Sequence, residues 1–191
     1  MAFKLQTIIC STRPGRVGPS VATWFQGFAA AHGKFDVELV DLASFNLPVY
    51  DEPEHPIKQN YHHEHTRKWA ASVKSADAFV FVTPEYNYGP PPSLVNALNY
   101  VSLEWNYAPA GFVGYGGMSG GLRAVQMVKT TVSTLKMVPM TEGVGIPMVA
   151  TLLDQDRKFK SNELIDNSAT TMLNEMHRWA EALAGLRATR K

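Results

Sequence analysis

The stretch Thr83-Pro84-Glu85-Tyr86-Asn87-Tyr88-Gly89, with Pro90-Pro91-Pro92 behind it, sets two tyrosines, an asparagine and a glutamate on proline-stiffened backbone. Asn87 and Glu85 can recognise imide-like ring edges, and the rings of Tyr86 and Tyr88 can pack on a flat heterocycle. The competing reading is a proline-locked turn whose tyrosines serve an interface. A second stretch, Ser11-Thr12-Arg13-Pro14-Gly15-Arg16-Val17-Gly18-Pro19-Ser20, carries hydroxyls, glycines and two guanidinium groups. Arg13 and Arg16 offer paired N–H donors, and a helix starting here adds backbone N–H groups and partial positive charge, the components of a phosphate cradle. The alternative is a polar turn with solvated arginines. No glycine here is followed directly by Lys and Ser or Thr, so this is not a P-loop, and G-x-G-x-x-G is also absent. A third stretch, Tyr115-Gly116-Gly117-Met118-Ser119-Gly120-Gly121, has four glycines that let backbone approach a ligand closely. It reads equally well as a glycine-rich turn that needs positive φ.

These stretches need a scaffold that brings them together, and apolar runs alternating with helical periodicities supply one. Residues 3–10 read as a first strand. Val17, Val21, Trp24, Phe25 and Phe28 follow at helical spacing, with Pro19 near the first turn. Residues 35–41 form a second strand, and Trp69, Val73 and Ala76 mark a second helix that ends before Asp77. The run 78–83 has no polar alternation, as expected of a strand buried on both faces. A helix through Leu94, Leu98 and Val101 comes next, then a strand over 110–115 and a helix through Leu122, Val125, Val128, Val132 and Leu135. Residues 137–144 read as a fifth strand. The last helix carries Ile165, Ala169, Met172, Leu173, Met176, Ala180 and Leu183 as a core stripe. Alternating strands and helices imply parallel pairing and right-handed crossovers, hence a doubly wound α/β sandwich. Periodicity does not choose between the common strand orders, but in each the ends of strands one, three and four share one sheet edge. The irregular region 43–61, with Pro48, Pro53 and Pro56, is longer than a usual connection and reads as a functional or edge-covering loop.

Composition narrows the function classes. The 191 residues fit a single domain, 1–191, and the net charge of +1 suggests neither a nucleic-acid partner nor an anionic membrane. One cysteine, Cys10, cannot form an intrachain disulfide, and no run approaches a membrane span or a signal peptide. The expectation is a soluble, cytoplasmic protein.

With these stretches in view, the chain resembles the NAD(P)H-dependent FMN reductases of the flavodoxin-like superfamily, which includes many quinone, azo-dye and chromate reductases. STRPGRVGPSVA looks like the family's phosphate loop and following helix, PEYNYGPPPSLVNALNYV its flavin-ring loop and next helix, and EWNYAPAGFVGYGGMSGG its fourth strand and glycine loop. The resemblance implies a five-stranded parallel sheet of order 2-1-3-4-5 in a flavodoxin-like three-layer sandwich. It implies that Ser11, Arg13 and Arg16, with backbone near Val17 and Gly18, hold the FMN phosphate. Pro84, Glu85, Tyr86 and Asn87 would lie along the isoalloxazine, and Tyr115, Gly116, Gly117, Ser119 and Gly120 would close its pyrimidine side. Dimers or tetramers assembled through the helix after PEYN are also implied. The sequence departs from the pattern at Gly89, Pro92, Val95, Asn99 and Tyr100, where the family usually has Ser, Gly, Lys, Asp and Trp, and at Cys10, where it usually has Gly. Val95 and Asn99 remove charges expected in interface salt bridges.

The implied activity is hydride transfer from NADPH or NADH to N5 of bound FMN, then reduction of a small-molecule acceptor at the same face in a ping-pong cycle. That chemistry belongs to the cofactor, so no catalytic side chain is assigned. A flavodoxin-type electron carrier without NAD(P)H turnover is the alternative; such carriers are typically acidic, unlike this chain. His62, His63 and His65 invite a metal reading, but no cysteine or second ligand pair completes a site, and they read as a solvated loop or helix start. The tail Arg187, Arg190 and Lys191 reads as a solvated helix end.

Overall fold

The computed structural model describes residues 2–189. Its parallel strands are β1 (Phe3–Ile9), β2 (Phe35–Asp41), β3 (Ala78–Pro84), β4 (Pro109–Tyr115), β5 (Val138–Pro139) and β6 (Val144–Ile146). The order is β2-β1-β3-β4-β5, with β6 also paired to β4. This is the flavodoxin-like order, in which β1 and β3 flank the switch point where crossovers change direction. The helices are α1 (Gly18–His32), α2 (Glu64–Lys74), α3 (Pro92–Tyr100), α4 (Leu122–Thr134) and α5 (Glu163–Ala188).

Side-chain alternation along the central strands builds two cores. Val80 and Val82 of β3 join Leu5 and Ile9 of β1 against α1 and the Met172, Met176 stripe of α5. Phe79 and Phe81 point the other way, with Ile8 and Phe112, and pack on Trp69, Leu94 and Val125 of α2, α3 and α4. Every residue of β3 and β4 is buried, so each has a helix layer on both faces. Gly111 is required for one of these contacts: a Cβ there would lie 2.5 Å from the Met176 sulfur. The core therefore fixes β1, β3 and β4 and leaves their carboxyl ends at one rim.

Two expectations are corrected. The fifth strand is broken, because β5 pairs Val138 with Pro109 and β6 pairs Val144 with Val113, a register slip of two residues. The bonds to β4 continue through Met140, whose N–H donates to the Ala110 carbonyl at 2.8 Å, and residues 141–143 form the excursion. Arg187 is not solvated: it is 7% exposed and its guanidinium bonds Asp77, whose other oxygen accepts from the Lys4 N–H at 2.9 Å. Arg190 and Lys191 lie outside the described residues. No helix among the described residues is long and apolar enough to cross a membrane.

Candidate functional site

The three stretches singled out from the sequence converge at the carboxyl rim. The loop after β1 meets the loop after β3 where Arg13 Nε donates to the Tyr86 hydroxyl at 3.2 Å. It meets the end of β4 where the Tyr115 hydroxyl donates to Ser11 Oγ at 3.2 Å. The loops after β3 and β4 are joined through Glu85, whose Oε1 accepts from Ser119 Oγ at 2.7 Å and whose Oε2 accepts from the Arg123 N–H at 3.0 Å.

The β1 loop leaves many of its donors open. α1 begins without a side-chain cap and with no acidic residue in its first turn, so its N-terminal N–H groups stay open. Among the described residues, the backbone N–H groups of Thr12, Arg13, Gly15, Arg16, Val17 and Gly18 have no acceptor. Arg13 is exposed and has no carboxylate partner among the described residues. Arg16 is held differently. Its guanidinium forms a two-pronged pair with Asp41 at the end of β2, at 2.9 and 2.6 Å, and also donates to the Ser11 carbonyl. Its charge is engaged in shaping the loop. Ser11 has no exposed surface, with its hydroxyl and carbonyl both facing inward.

The β3 loop forms a tight turn in which Tyr86 N–H donates to Gly89 O at 2.8 Å and Gly89 N–H to Tyr86 O at 2.9 Å. Asn87 and Tyr88 both have positive φ, 48° and 70°, the backbone of a type I′ turn. Such conformations cost free energy in non-glycine residues and persist where surroundings enforce them. Here Arg123 stacks 4.1 Å over the Tyr88 ring while bonding Glu85. The Glu85 side chain is 7% exposed, and it anchors the amino end of α4. Burial would raise its pKa, but Ser119, Arg123 and the N–H groups of Arg123 and Ala124 outweigh that and hold it below the usual carboxylate range.

The glycine loop is stitched to the segment after β6. Gly116 N–H donates to Ile146 O, while Val149 and Met148 N–H donate to Gly116 and Gly117 O. Gly120 and Gly121 adopt φ of 60° and 84°, and Met118 at the tip is exposed. Tyr115 has a buried ring, and its hydroxyl lies under the β1 loop.

Some residues of this rim escaped sequence reasoning. Leu47, Val49, Tyr50 and Asn96 join Thr12 and Pro90 of the candidate stretches in lining a cleft of about 740 Å³ beside the β3 loop. Asn96 fixes the 43–61 region there, donating to the Pro48 carbonyl and accepting the Tyr50 N–H. Tyr100, the departure from tryptophan, also holds this region by donating to Pro48 O and Asp51 Oδ1. The length of the region was the signal; which residues reach the cleft depends on contacts with α3. Pro92, another departure, occupies the first turn of α3 without disturbing it. The histidines are bound to the same region: His62 and His63 N–H donate to Glu52, and His65 Nε2 lies 3.1 Å from Asp51 Oδ1.

A family model described as NADPH-dependent FMN reductase matches residues 3–151. This chain belongs to that family. It is 43% identical over 136 residues to an NAD(P)H-dependent FMN reductase of Schizosaccharomyces pombe, covering 70% of this chain and 68% of that one. It is 32% identical over 153 residues to an NAD(P)H-dependent FMN reductase of a Nectria species, covering 77% and 76%. In fold it is similar to FerB, a flavoenzyme NAD(P)H:(acceptor) oxidoreductase of Paracoccus denitrificans, with a TM-score of 0.75, 19% identity and coverage of 95% and 98%. The family is one of oxidoreductases that use NAD(P)H and FMN.

Proposed function

We propose that this chain binds FMN across the three joined loops and passes electrons from NADPH or NADH to a small-molecule acceptor, a flavin, quinone, azo compound or similar, by a ping-pong cycle. The observation that carries the reading is the open, uncapped start of α1 beside the Asn87–Tyr88 turn, linked by the Arg13–Tyr86 contact. The unpaired N–H groups of residues 12–18 and Arg13 fit a phosphate, and the Tyr86–Asn87 backbone and the glycines 116 and 117 fit a flat ring system. When bound, FMN supplies a ring that accepts hydride from a nicotinamide and passes electrons on.

The protein's part is binding and orientation. Arg13 offers the charge, and α1 adds its N-terminal dipole. Arg16, clamped by Asp41, keeps the loop curved around that point. Glu85 fixes the turn against α4, and no side chain at the rim is needed as an acid or base. The cleft beside Gly89 and Pro90 is lined by Leu47, Val49, Val95 and Met127 with Asn96 and Asn99, and none of its lining among the described residues is charged. That suits an uncharged aromatic acceptor. On this reading the nicotinamide and the acceptor would use the same site in turn. A homodimer or homotetramer through α3 agrees with the exposure of Val95 on that helix and of Met127 on α4.

The test is twofold. Anaerobic NADPH or NADH should bleach the FMN-loaded protein rapidly, and double-reciprocal plots against a quinone should be parallel. Absence of bleaching would instead support an electron carrier, and intersecting lines would overturn the alternating use of one site.

A further inference from the structure

Resting on the FMN reading above, we infer that Tyr115 is a positioning residue that shapes the phosphate loop from beneath and touches neither phosphate nor ring. Its hydroxyl donates to Ser11 Oγ at 3.2 Å, and the two residues are 4% and 0% exposed. Gly18, the first residue of α1, rests on this pair, because a Cβ there would lie 2.5 Å from Ser11 Oγ and 2.8 Å from the Tyr115 hydroxyl. One buried hydrogen bond therefore supports both the start and the end of the loop. The Ser11 carbonyl accepts from Arg16, which Asp41 grips, so the loop is also held from the β2 side. With these inner contacts made, the backbone N–H groups between Ser11 and α1 are left without partners and free to converge on an anion.

Three features make Tyr115 suited to this role. It ends β4, where its carbonyl accepts the Glu85 N–H at 3.1 Å, so its backbone is fixed to the β3 loop. Its place is held in register by Pro84 on one side and Ile146 on the other. Burial pushes its phenol pKa upward, with the Ser11 hydrogen bond acting against that, so the hydroxyl remains a donor at neutral pH. The bond orients the serine and fixes the height of the loop above β4. Its loss reaches the phosphate through the loop, while the ring contacts of Tyr86, Asn87 and the glycines stay in place.

The experiment titrates the full chain with FMN and with riboflavin, which has the same ring and no phosphate, and follows quenching of flavin fluorescence. Tyr115→Phe is expected to lose about tenfold in FMN affinity, the worth of one hydrogen bond, with riboflavin affinity unchanged. Ser11→Ala should reproduce that selective loss, and the double variant should lose no more than either single one. Equal losses for both flavins, or losses that add, would overturn the inference. Loss in Ser11→Ala with none in Tyr115→Phe would also overturn it, since it would mean that the serine meets the phosphate directly. If Tyr115→Phe does not fold, Ser11→Ala together with Gly18→Ala, which wedges the pair apart, decides: both must weaken FMN and spare riboflavin. A wild-type chain that takes up neither flavin refutes the FMN reading itself, a result distinct from wild-type binding that the variants leave untouched.

Discussion

Replacing Glu85 with glutamine separates a structural carboxylate from a chemical one. The wild-type side chain receives three hydrogen bonds at 2.7–3.0 Å, from the Ser119 hydroxyl, the Arg123 N–H and the Arg123 guanidinium. Arg123 is about half exposed, so its ion pair contributes no more than about 1 kcal/mol. A negative charge at the amino end of α4 adds roughly 0.5–1 kcal/mol. Glutamine keeps one acceptor but turns an NH2 group toward donors, so the net loss is about 2 kcal/mol. For a chain of this size that lowers Tm by about 5 °C. The pH dependence gives the sign. The folded pKa of Glu85 lies below the unfolded one, so its contribution is complete above the unfolded value and is lost as pH falls through the folded value. Thermal unfolding of the cofactor-free chain should therefore show the full gap between wild type and Glu85→Gln at pH 7, shrinking in acid. The FMN-loaded variant should keep kcat within a few-fold. An unchanged Tm at pH 7, a gap that persists in strong acid, or a collapsed kcat at full stability would refute this reasoning.

Two further outcomes follow from the rim. Gly121→Ala places a Cβ 2.5 Å from the Tyr115 nitrogen at φ of 84°, and should cost about 3 kcal/mol or more in urea unfolding; a change within error would show that the close approach is tolerated. Asp41→Asn breaks the pair that holds Arg16 and should cost about 1 kcal/mol while weakening FMN binding more than riboflavin binding, whereas unchanged affinity for both would remove Arg16 from loop shaping.

Much of the fold was legible because the core pattern is strong. The unbroken apolar run of β3 and the helical stripes of α1 and α5 correspond to the buried faces found. The fifth strand was not read correctly, although Gly143 marks its interruption, because Met137, Val138 and Val144 gave it an apolar outline. The loops carrying the candidate site were legible as residue types; their partners were not. Arg16 and Asp41 are 25 residues apart and meet only because β1 and β2 are parallel neighbours. Glu85 and Arg123 are 38 apart and meet across the ends of β3 and β4. Arg187 looked solvated because its partner Asp77 lies 110 residues away. The type I′ turn was hidden as well, since Asn87-Tyr88 lacks the glycine that usually signals it.

Equilibrium dialysis against FMN tests the central claim most directly, with wild type compared to Arg13→Ala and Gly117→Val. Gly117→Val is informative because a Cβ there meets nothing within 4 Å, so the fold accepts the new side chain while, on the FMN reading, it intrudes on the ring. The prediction is saturable uptake of one FMN per chain, weakened about tenfold or more by Arg13→Ala through loss of a charge-assisted bond, and weakened also by Gly117→Val. No saturable uptake, or uptake that both substitutions leave intact, would contradict it.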